Sequence, residues 1–357
     1  MKSKPLAITM GDPAGIGPEI VLKSFLSARI GRSDSAIDCP CVVLGDVPHL
    51  ERAKLSLGQD GEQLELLEIR DLESVYNIGG ADLPNSRIIV PVLQVCSLGQ
   101  SEHNLSPVGQ VSAMAGQIAY QNIVWGARAA LSRRVRALVT APIHKQSLSL
   151  AQVDFPGHTE ILQYEAAKHS GLTLEQLPVK MMLQNEELRV VLVSIHISLK
   201  EAISLVTQEE IIRTLDITHL SLKKLLGRSA RIAVAGLNPH SGEGGLMGRE
   251  ELDVISPAIA RARELDSSMD ITGPISPDTV FMRARGGVFD VVIAMYHDQG
   301  LIPIKYMGLE NGVNVTLGLP MVRTSPDHGT AFDVAGQGVA DPSSMMYSIQ
   351  VALNLTK

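Results

Sequence analysis

Three short apolar runs, each leading to a histidine, dominate the hydrophobic pattern of the chain. Residues 189–195 lead to His196, residues 231–239 to His240 and residues 290–296 to His297. The runs are rich in Val and Ile and apolar at consecutive rather than alternate positions. At about 5–7 residues of core each, they read as strands buried on both faces of a parallel sheet. Ligands of such sheets gather at the carboxyl ends of the strands. Three imidazoles in that position can converge on one point. A single strand-end histidine reads first as a hydrogen-bonded structural residue. The repetition of position and flanking chemistry is what raises a shared metal site, with neutral nitrogens as ligands and further positions open.

The remaining pattern alternates strands with helices. Residues 6–10 predict a first strand, followed by a glycine-rich turn from Gly11 to Glu19. Pro18 suits a first helical position and Glu19 a first helical turn. The turn lacks both G-x-G-x-x-G spacing and the Gly-Lys-Ser/Thr of a P-loop, so it reads as a tight turn before it reads as an anion cradle. A polar loop is expected over 31–40, a strand over 41–46 and a second loop over 99–109. Residues 112–130 predict a helix in which Ala113, Gly116, Ala119, Ala127 and Ala130 allow close packing. A strand at 137–140 breaks at 141–145, and residues 155–160 open a helix at 161–169. Residues 179–183 and 189–195 read as neighbouring strands joined around Asn185. Helices are expected over 208–226, 250–264 and 343–353. The alternation predicts an α/β protein with a largely parallel sheet. A length of 357 residues predicts about two domains.

Composition sharpens this picture. With 45% apolar residues but only five Phe and one Trp, the core must be aliphatic. A net charge of −7 argues against nucleic acid as a partner and requires local Lys and Arg for any anionic substrate. Cys39, Cys41 and Cys96 are too few and too irregular for a disulfide framework or a metal motif. No run reaches membrane-spanning length and the N-terminal pattern is not that of a signal peptide. A cytoplasmic protein with no membrane partner is expected.

Further candidates cluster near the predicted strand ends. Asp298 follows His297 and can orient its imidazole or neutralise a bound cation; a solvated turn aspartate is the plainer reading. Lys305, Asn314 and Arg323 suit a phosphate or carboxylate, although each alone would read as a surface residue. His158 and Thr159 precede a helix, where amides, a hydroxyl and an imidazole can hold an anion; Thr159 could equally cap the helix. His144 and Lys145 end the 137–140 strand. Gly242, Gly244 and Gly245 lie in a loop close to, but not matching, a phosphate cradle. His49, His103, His169 and His219 read as structural, and His328 as part of a turn. The absence of Gly-x-Ser-x-Gly and His-Glu-x-x-His removes support for serine-hydrolase and metalloprotease chemistry. A metal beside an anion pocket suits Lewis-acid polarisation of a hydroxyl or carbonyl on a small phosphorylated or acidic molecule.

Taken together, the motifs MGDPAGIGPEI at 10–20, TAPIHK at 140–145, PGHTE at 156–160, GLNPHSGEGGLMGREE at 236–251, GPISPDTVF at 273–281, AMYHDQGLIPIK at 294–305 and GVNVTLGLPMVRTSPDHGTAFD at 312–333 identify a resemblance. The chain resembles the 4-hydroxythreonine-4-phosphate dehydrogenase family of pyridoxine (vitamin B6) biosynthesis. The resemblance implies an isocitrate/isopropylmalate-dehydrogenase-like fold of two α/β/α domains with the site in the cleft between them. Its approximate division is 1–135 with 300–357, and 136–299. It implies a homodimer whose sites take residues from both subunits. By motif, His196, His240 and His297 would hold a divalent metal, Zn2+ or else Mg2+, Co2+ or Mn2+. His158, Thr159, Lys305, Asn314 and Arg323 would hold the substrate. The implied reaction oxidises a secondary hydroxyl with NAD or NADP, and the resulting β-keto acid loses CO2 to give 3-amino-2-oxopropyl phosphate. Asp298 and His158 are the candidate proton acceptors, and Gly242, Gly244 and Gly245 the candidate cofactor contacts. The stretches at 140–145 and 154–157 are shared with a paralogous branch, similar to D-threonate or D-erythronate 4-phosphate dehydrogenases. A metal-dependent hydrolase or lyase, and a domain that uses metal only for stability, are the readings of another class.

Overall fold

The computed structural model describes residues 3–28, 30, 37, 39–80, 87–96, 105–308 and 312–356. The loops expected over 31–40 and 99–109 lie largely outside these residues, and His103 lies wholly outside them. The chain divides into two compact units, Met1–Leu177 with Leu319–Lys357, and Pro178–Gly318.

The first unit begins with β1 (Leu6–Thr9), α1 (Gly17–Ala28), β2 (Cys41–Gly45), α2 (Val47–Ser56) and the single turn α3 (Gln59–Glu62). It continues through β3 (Leu64–Ile69), β4 (Ile88–Gln94), α4 (Ala113–Leu131), β5 (Leu138–Thr140), α5 (Lys145–Leu150) and α6 (His158–Ser170). The second unit holds β6 (Lys180–Gln184), β7 (Arg189–Leu192), α7 (Leu199–Leu205), α8 (Gln208–Leu226), β8 (Arg231–Ala235) and α9 (Ser256–Leu265). Then come β9 (Asp270–Ile275), α10 (Pro277–Arg285), β10 (Val291–Ala294), α11 (His297–Tyr306) and β11 (Val313–Leu317). The chain returns to the first unit for β12 (Arg323–Pro326) and α12 (Ser343–Asn354).

Strands of the first unit run β3-β4-β2-β1-β5-β12, with parallel pairings from β3 to β12. Every residue of β1 and β2 is buried, which is why these strands carry no polar alternation. Leu6 and Ile8 pack on one face with Ile20 and Phe25 of α1 and Met345 and Ile349 of α12. Ala7 faces the other way, towards Ile123 and Ala127 of α4. The turn at 11–17 is a packing element, as the tight-turn reading expects. A Cβ on Gly17 would lie 2.3 Å from the Met10 carbonyl oxygen, and Ile16 N donates to Thr330 O at 3.0 Å. The turn is buried and contains the Asp12 carboxyl, which burial pushes above its ordinary pKa.

Strands of the second unit run β11-β6-β7-β10-β8-β9. β7, β10, β8 and β9 are mutually parallel, whereas β6 is antiparallel to both neighbours. The reversal is local. Asn185 Oδ1 accepts from the amides of Glu187 and Leu188 at 3.0 and 2.8 Å, closing a hairpin between β6 and β7.

The units differ at both edges from the expected division at 136–299. β5 is paired to β1 and β12, so residues 136–177 belong with the first unit. β11 is paired to β6, which keeps residues 300–318 in the second. The protein is thus a mixed α/β molecule. Among the described residues no helix is long and apolar enough to cross a membrane.

Candidate active site

The three histidine-bearing strands are neighbours. β10 lies between β7 and β8, so the turns carrying His196, His297 and His240 leave the same edge of the second unit side by side. Val193 N donates to Ala294 O at 2.9 Å and Ser194 Oγ to Met295 O at 3.0 Å, which fixes the exits of β7 and β10 against each other. The rings of His196 and His297 have centroids 5.6 Å apart at 43°. Two imidazoles on one tetrahedral ion, with metal–nitrogen distances near 2.1 Å, have ring centres about 5 Å apart. The pair therefore fits a shared ion. His297 Nδ1 is 2.7 Å from Asp298 Oδ1, an orientation that leaves Nε2 for a ligand.

His240 is presented differently. It opens a left-handed run in which His240, Ser241, Gly242, Glu243 and Gly244 have φ of 50°, 53°, 75°, 45° and 70°. For residues with a Cβ this conformation costs about 1–2 kcal/mol each, so the surroundings must hold it. Glu251, almost fully buried, does so: its Oε1 accepts from the amides of Leu237 and Asn238, both at 2.7 Å. Gly242 packs beneath the same carboxylate, where a Cβ would lie 2.7 Å from Oε2. His196 also has a positive φ, 27°. Strain of this kind gathers at functional positions. Among the described residues, no three His, Cys, Asp or Glu side chains are gathered closely enough to hold a metal. The chain by itself brings two of the three histidines together.

The expected substrate residues fall in both units. In the second, Lys305 lies in the last turn of α11 and Asn314 in β11, opposite Leu183 of β6. In the first, His158 is the opening residue of α6. The N-cap is Gly157, with no side-chain cap bond, so Thr159 is not the cap and sits within the first turn. His158 Nε2 is buried without a hydrogen-bond partner. Burial, with the Arg323 guanidinium nearby, pushes its pKa well below the ordinary histidine value, leaving the ring neutral. Arg323 is 5% exposed and donates from Nε and Nη2 to Thr140 Oγ1 at 3.1 and 2.8 Å. Burial pulls its pKa down to about 10, which still leaves a cation at neutral pH.

The other histidines are accounted for. His49 is fully buried between Asp46 and Ser106, and His219 is buried near Asp266 and Ser268. His169 is exposed in the last turn of α6. His144 stacks on Phe332, with centroids 4.7 Å apart, and His328 Nδ1 is 3.0 Å from Gly329 O. Sequence reasoning passed over Thr140, Glu251 and Gln299. Thr140 ends β5 and Gln299 follows β10 by five residues, whereas Glu251 closes the 236–251 motif sixteen residues after β8. The signal for all three is that they lie within the motifs at 140–145, 236–251 and 294–305.

The chain is similar over its whole length to known proteins. The sequence model of the family described as "Pyridoxal phosphate biosynthetic protein PdxA" matches residues 37–352. A 4-hydroxythreonine-4-phosphate dehydrogenase of Beijerinckia indica is 47% identical, covering 99% of this chain and 96% of that protein. A D-threonate 4-phosphate dehydrogenase of Salmonella typhimurium is 39% identical, covering 99% and 100%. The crystal structure of a 4-hydroxythreonine-4-phosphate dehydrogenase from Klebsiella pneumoniae superposes with a TM-score of 0.83 at 39% identity, covering 99% and 98% of the two chains. With the motifs in order along the chain and such likeness across nearly all of it, this protein belongs to the PdxA family of pyridoxal phosphate biosynthetic proteins.

Proposed function

We propose that the chain oxidises the secondary hydroxyl of 4-phosphohydroxy-L-threonine. NAD or NADP would take the hydride, a proton would be released, and the β-keto acid would lose CO2 to give 3-amino-2-oxopropyl phosphate. The observation that carries this reading is the 47% identity, over 99% of the chain, to a relative named for that activity. The 39% identity to a D-threonate 4-phosphate dehydrogenase supports the second reading, the same oxidation on a substrate without the amine.

His196 and His297 suit one divalent ion, Zn2+ or else Mg2+, Co2+ or Mn2+, because their rings are suitably spaced. His240 would complete the set within the expected homodimer, whose sites draw on both subunits. Exposed apolar side chains beside the two turns support such an interface: Ile195 and Ile197 flank His196, and Leu246 and Met247 come after the His240 turn. The ion would supply Lewis acidity to the substrate hydroxyl, and the nicotinamide would accept the hydride.

The remaining work falls to the chain. Asp298 orients the His297 ring and is thereby occupied, whereas His158 keeps an unprotonated ring whose Nε2 has no hydrogen-bond partner, so His158 is the candidate with a nitrogen available to the substrate hydroxyl. Arg323 anchors an anionic end of the substrate from a buried, pre-ordered position, with Thr159, Lys305 and Asn314 as the further contacts. Of the glycines expected to face the cofactor, Gly242 is packed under Glu251 and is a poor phosphate contact, as is its neighbour Gly245, 3.3 Å from Leu252 by the same measure. Gly244 has open space at its α-carbon and is the one that fits. A cytoplasmic setting belongs to this proposal.

The test is nicotinamide reduction by the metal-supplied protein, with 4-phosphohydroxythreonine and D-threonate 4-phosphate offered in parallel. Turnover favouring the amino substrate, and lost on chelation, is expected. A preference for the threonate would overturn the substrate and keep the chemistry. Silence with both substrates and both cofactors would return the site to hydrolase or lyase chemistry.

A further inference from the structure

Gln299 lies in the first turn of α11, two residues beyond His297, and is 8% exposed. Its two polar atoms are both engaged. Oε1 accepts from the amide of Met295 at 2.7 Å, and Nε2 donates to the carbonyl of Gly236 at 2.7 Å. One side chain thus ties the exit of β10 to the exit of β8, immediately ahead of the turns that carry His297 and His240. We propose that Gln299 is a positioning residue that fixes how the His297 turn and the His240 turn leave the sheet, and with it the metal affinity of the homodimer sites to which those two histidines contribute. The proposal rests on the metal-site reading of His196, His240 and His297.

The chemistry of the bridge demands an amide. A glutamate in the first turn can accept from a backbone amide, as in a capping box, but its carboxylate cannot donate to the Gly236 carbonyl and would repel it. The Gly236 end has no slack. A Cβ there would lie 2.7 Å from Ser241 Oγ and 3.1 Å from Glu251 Oε1, and Glu251 holds the next two amides. Gln299 on one side and Glu251 on the other therefore define the path into the left-handed run. The link continues to the third histidine, because Ser194 Oγ donates to the Met295 carbonyl while Gln299 accepts from the Met295 amide. Outer groups that orient ligands without touching the metal characteristically change its affinity by about 10–100-fold when removed.

The experiment compares the full-length protein with Gln299→Glu, Gln299→Met, His240→Ala and His297→Ala. Metal-free protein is titrated with Co2+ against a competing chelator, the visible absorption of bound Co2+ is recorded, and thermal unfolding of the metal-free forms is monitored. The histidine variants should lose Co2+ binding. Both Gln299 variants should bind about 10–100-fold more weakly, with an altered visible spectrum. An unchanged Kd and spectrum in a folded Gln299 variant overturns the proposal. So does failure of both near-isosteric variants to fold, which would make the residue purely structural. Undiminished Co2+ binding in both histidine variants instead overturns the metal reading, and this inference falls with it.

Discussion

The buried guanidinium of Arg323 closes on the hydroxyl of Thr140, across the pairing of β12 with β5, through both Nε and Nη2. The hydroxyl oxygen accepts twice, which aims a charged fork without neutralising it. Arg323→Ala is expected to raise KM for the phosphorylated substrate far more than it lowers kcat; an unchanged KM removes Arg323 from the anion pocket. Thr140→Val keeps the shape and removes the acceptor. It should raise KM less and cost about 1–3 kcal/mol in urea unfolding, while Thr140→Ser stays close to the parent.

The left-handed backbone at His240 separates two substitutions that look alike from the site's standpoint. Both His240→Ala and His240→Gly remove the imidazole, so both should abolish metal binding and turnover. Only glycine relieves the φ of 50°. The metal-free His240→Gly protein should therefore be more stable than His240→Ala by about 1 kcal/mol. The reverse order in denaturant unfolding would rule out the left-handed conformation.

Asp290, at the start of the β10 run, bears on acid stability. Burial opposes its charge, but hydrogen bonds from Arg228 and Arg231 overcome this and hold its carboxyl well below the ordinary range. A depressed folded pKa contributes stability that is present above the unfolded value of about 4 and is lost as pH falls through the folded value. The destabilisation caused by Asp290→Asn should accordingly be largest near neutrality and shrink below about pH 4. Urea midpoints across that range check this; a constant difference would contradict it.

Gly116 offers a case where packing overrules propensity. In an exposed helix interior, Gly→Ala would stabilise by about 1 kcal/mol. Here a Cβ would lie 1.9 Å from the Ser147 carbonyl oxygen of α5. Gly116→Ala should instead destabilise by about 1–3 kcal/mol, measured by thermal unfolding, and a gain in stability would be inconsistent with the α4–α5 approach.

The histidines were legible because a strand buried on both faces spells itself out in consecutive Val and Ile, so a polar side chain just past its end stands out. The small-residue face of α4 was legible for the same reason: close approach demands Gly and Ala. Strand order was not. Nothing in residues 189–196, 231–240 and 290–297 says that the last strand lies between the other two, because that depends on where the crossovers land. The direction of β6 was legible, since a turn at Asn185 too short for a crossover makes it antiparallel to β7; its pairing with β11 on the other side was not. The loop at 242–248 looked close to a phosphate cradle because glycines serve both jobs. In the structure Gly242 and Gly244 have φ of 75° and 70°, and they serve first to carry the left-handed path. α11 went unassigned because Gly300 and Pro303 lie inside it. Gly300 is there because a Cβ would lie 2.6 Å from Leu192, so a tertiary contact outranks a local preference.

Because β10 sits between β7 and β8, the site is assembled from strands that are adjacent in space and distant along the chain. What holds the three turns to one another is the pairing of those strands, not the length of chain between them. Residues inserted at the amino end of one of these strands would thus leave the imidazoles in place, and a search pattern written as fixed intervals between the three histidines would miss such a chain. A pattern anchored instead on each strand's last buried residue and the few positions after it, Gln299 included, would keep it.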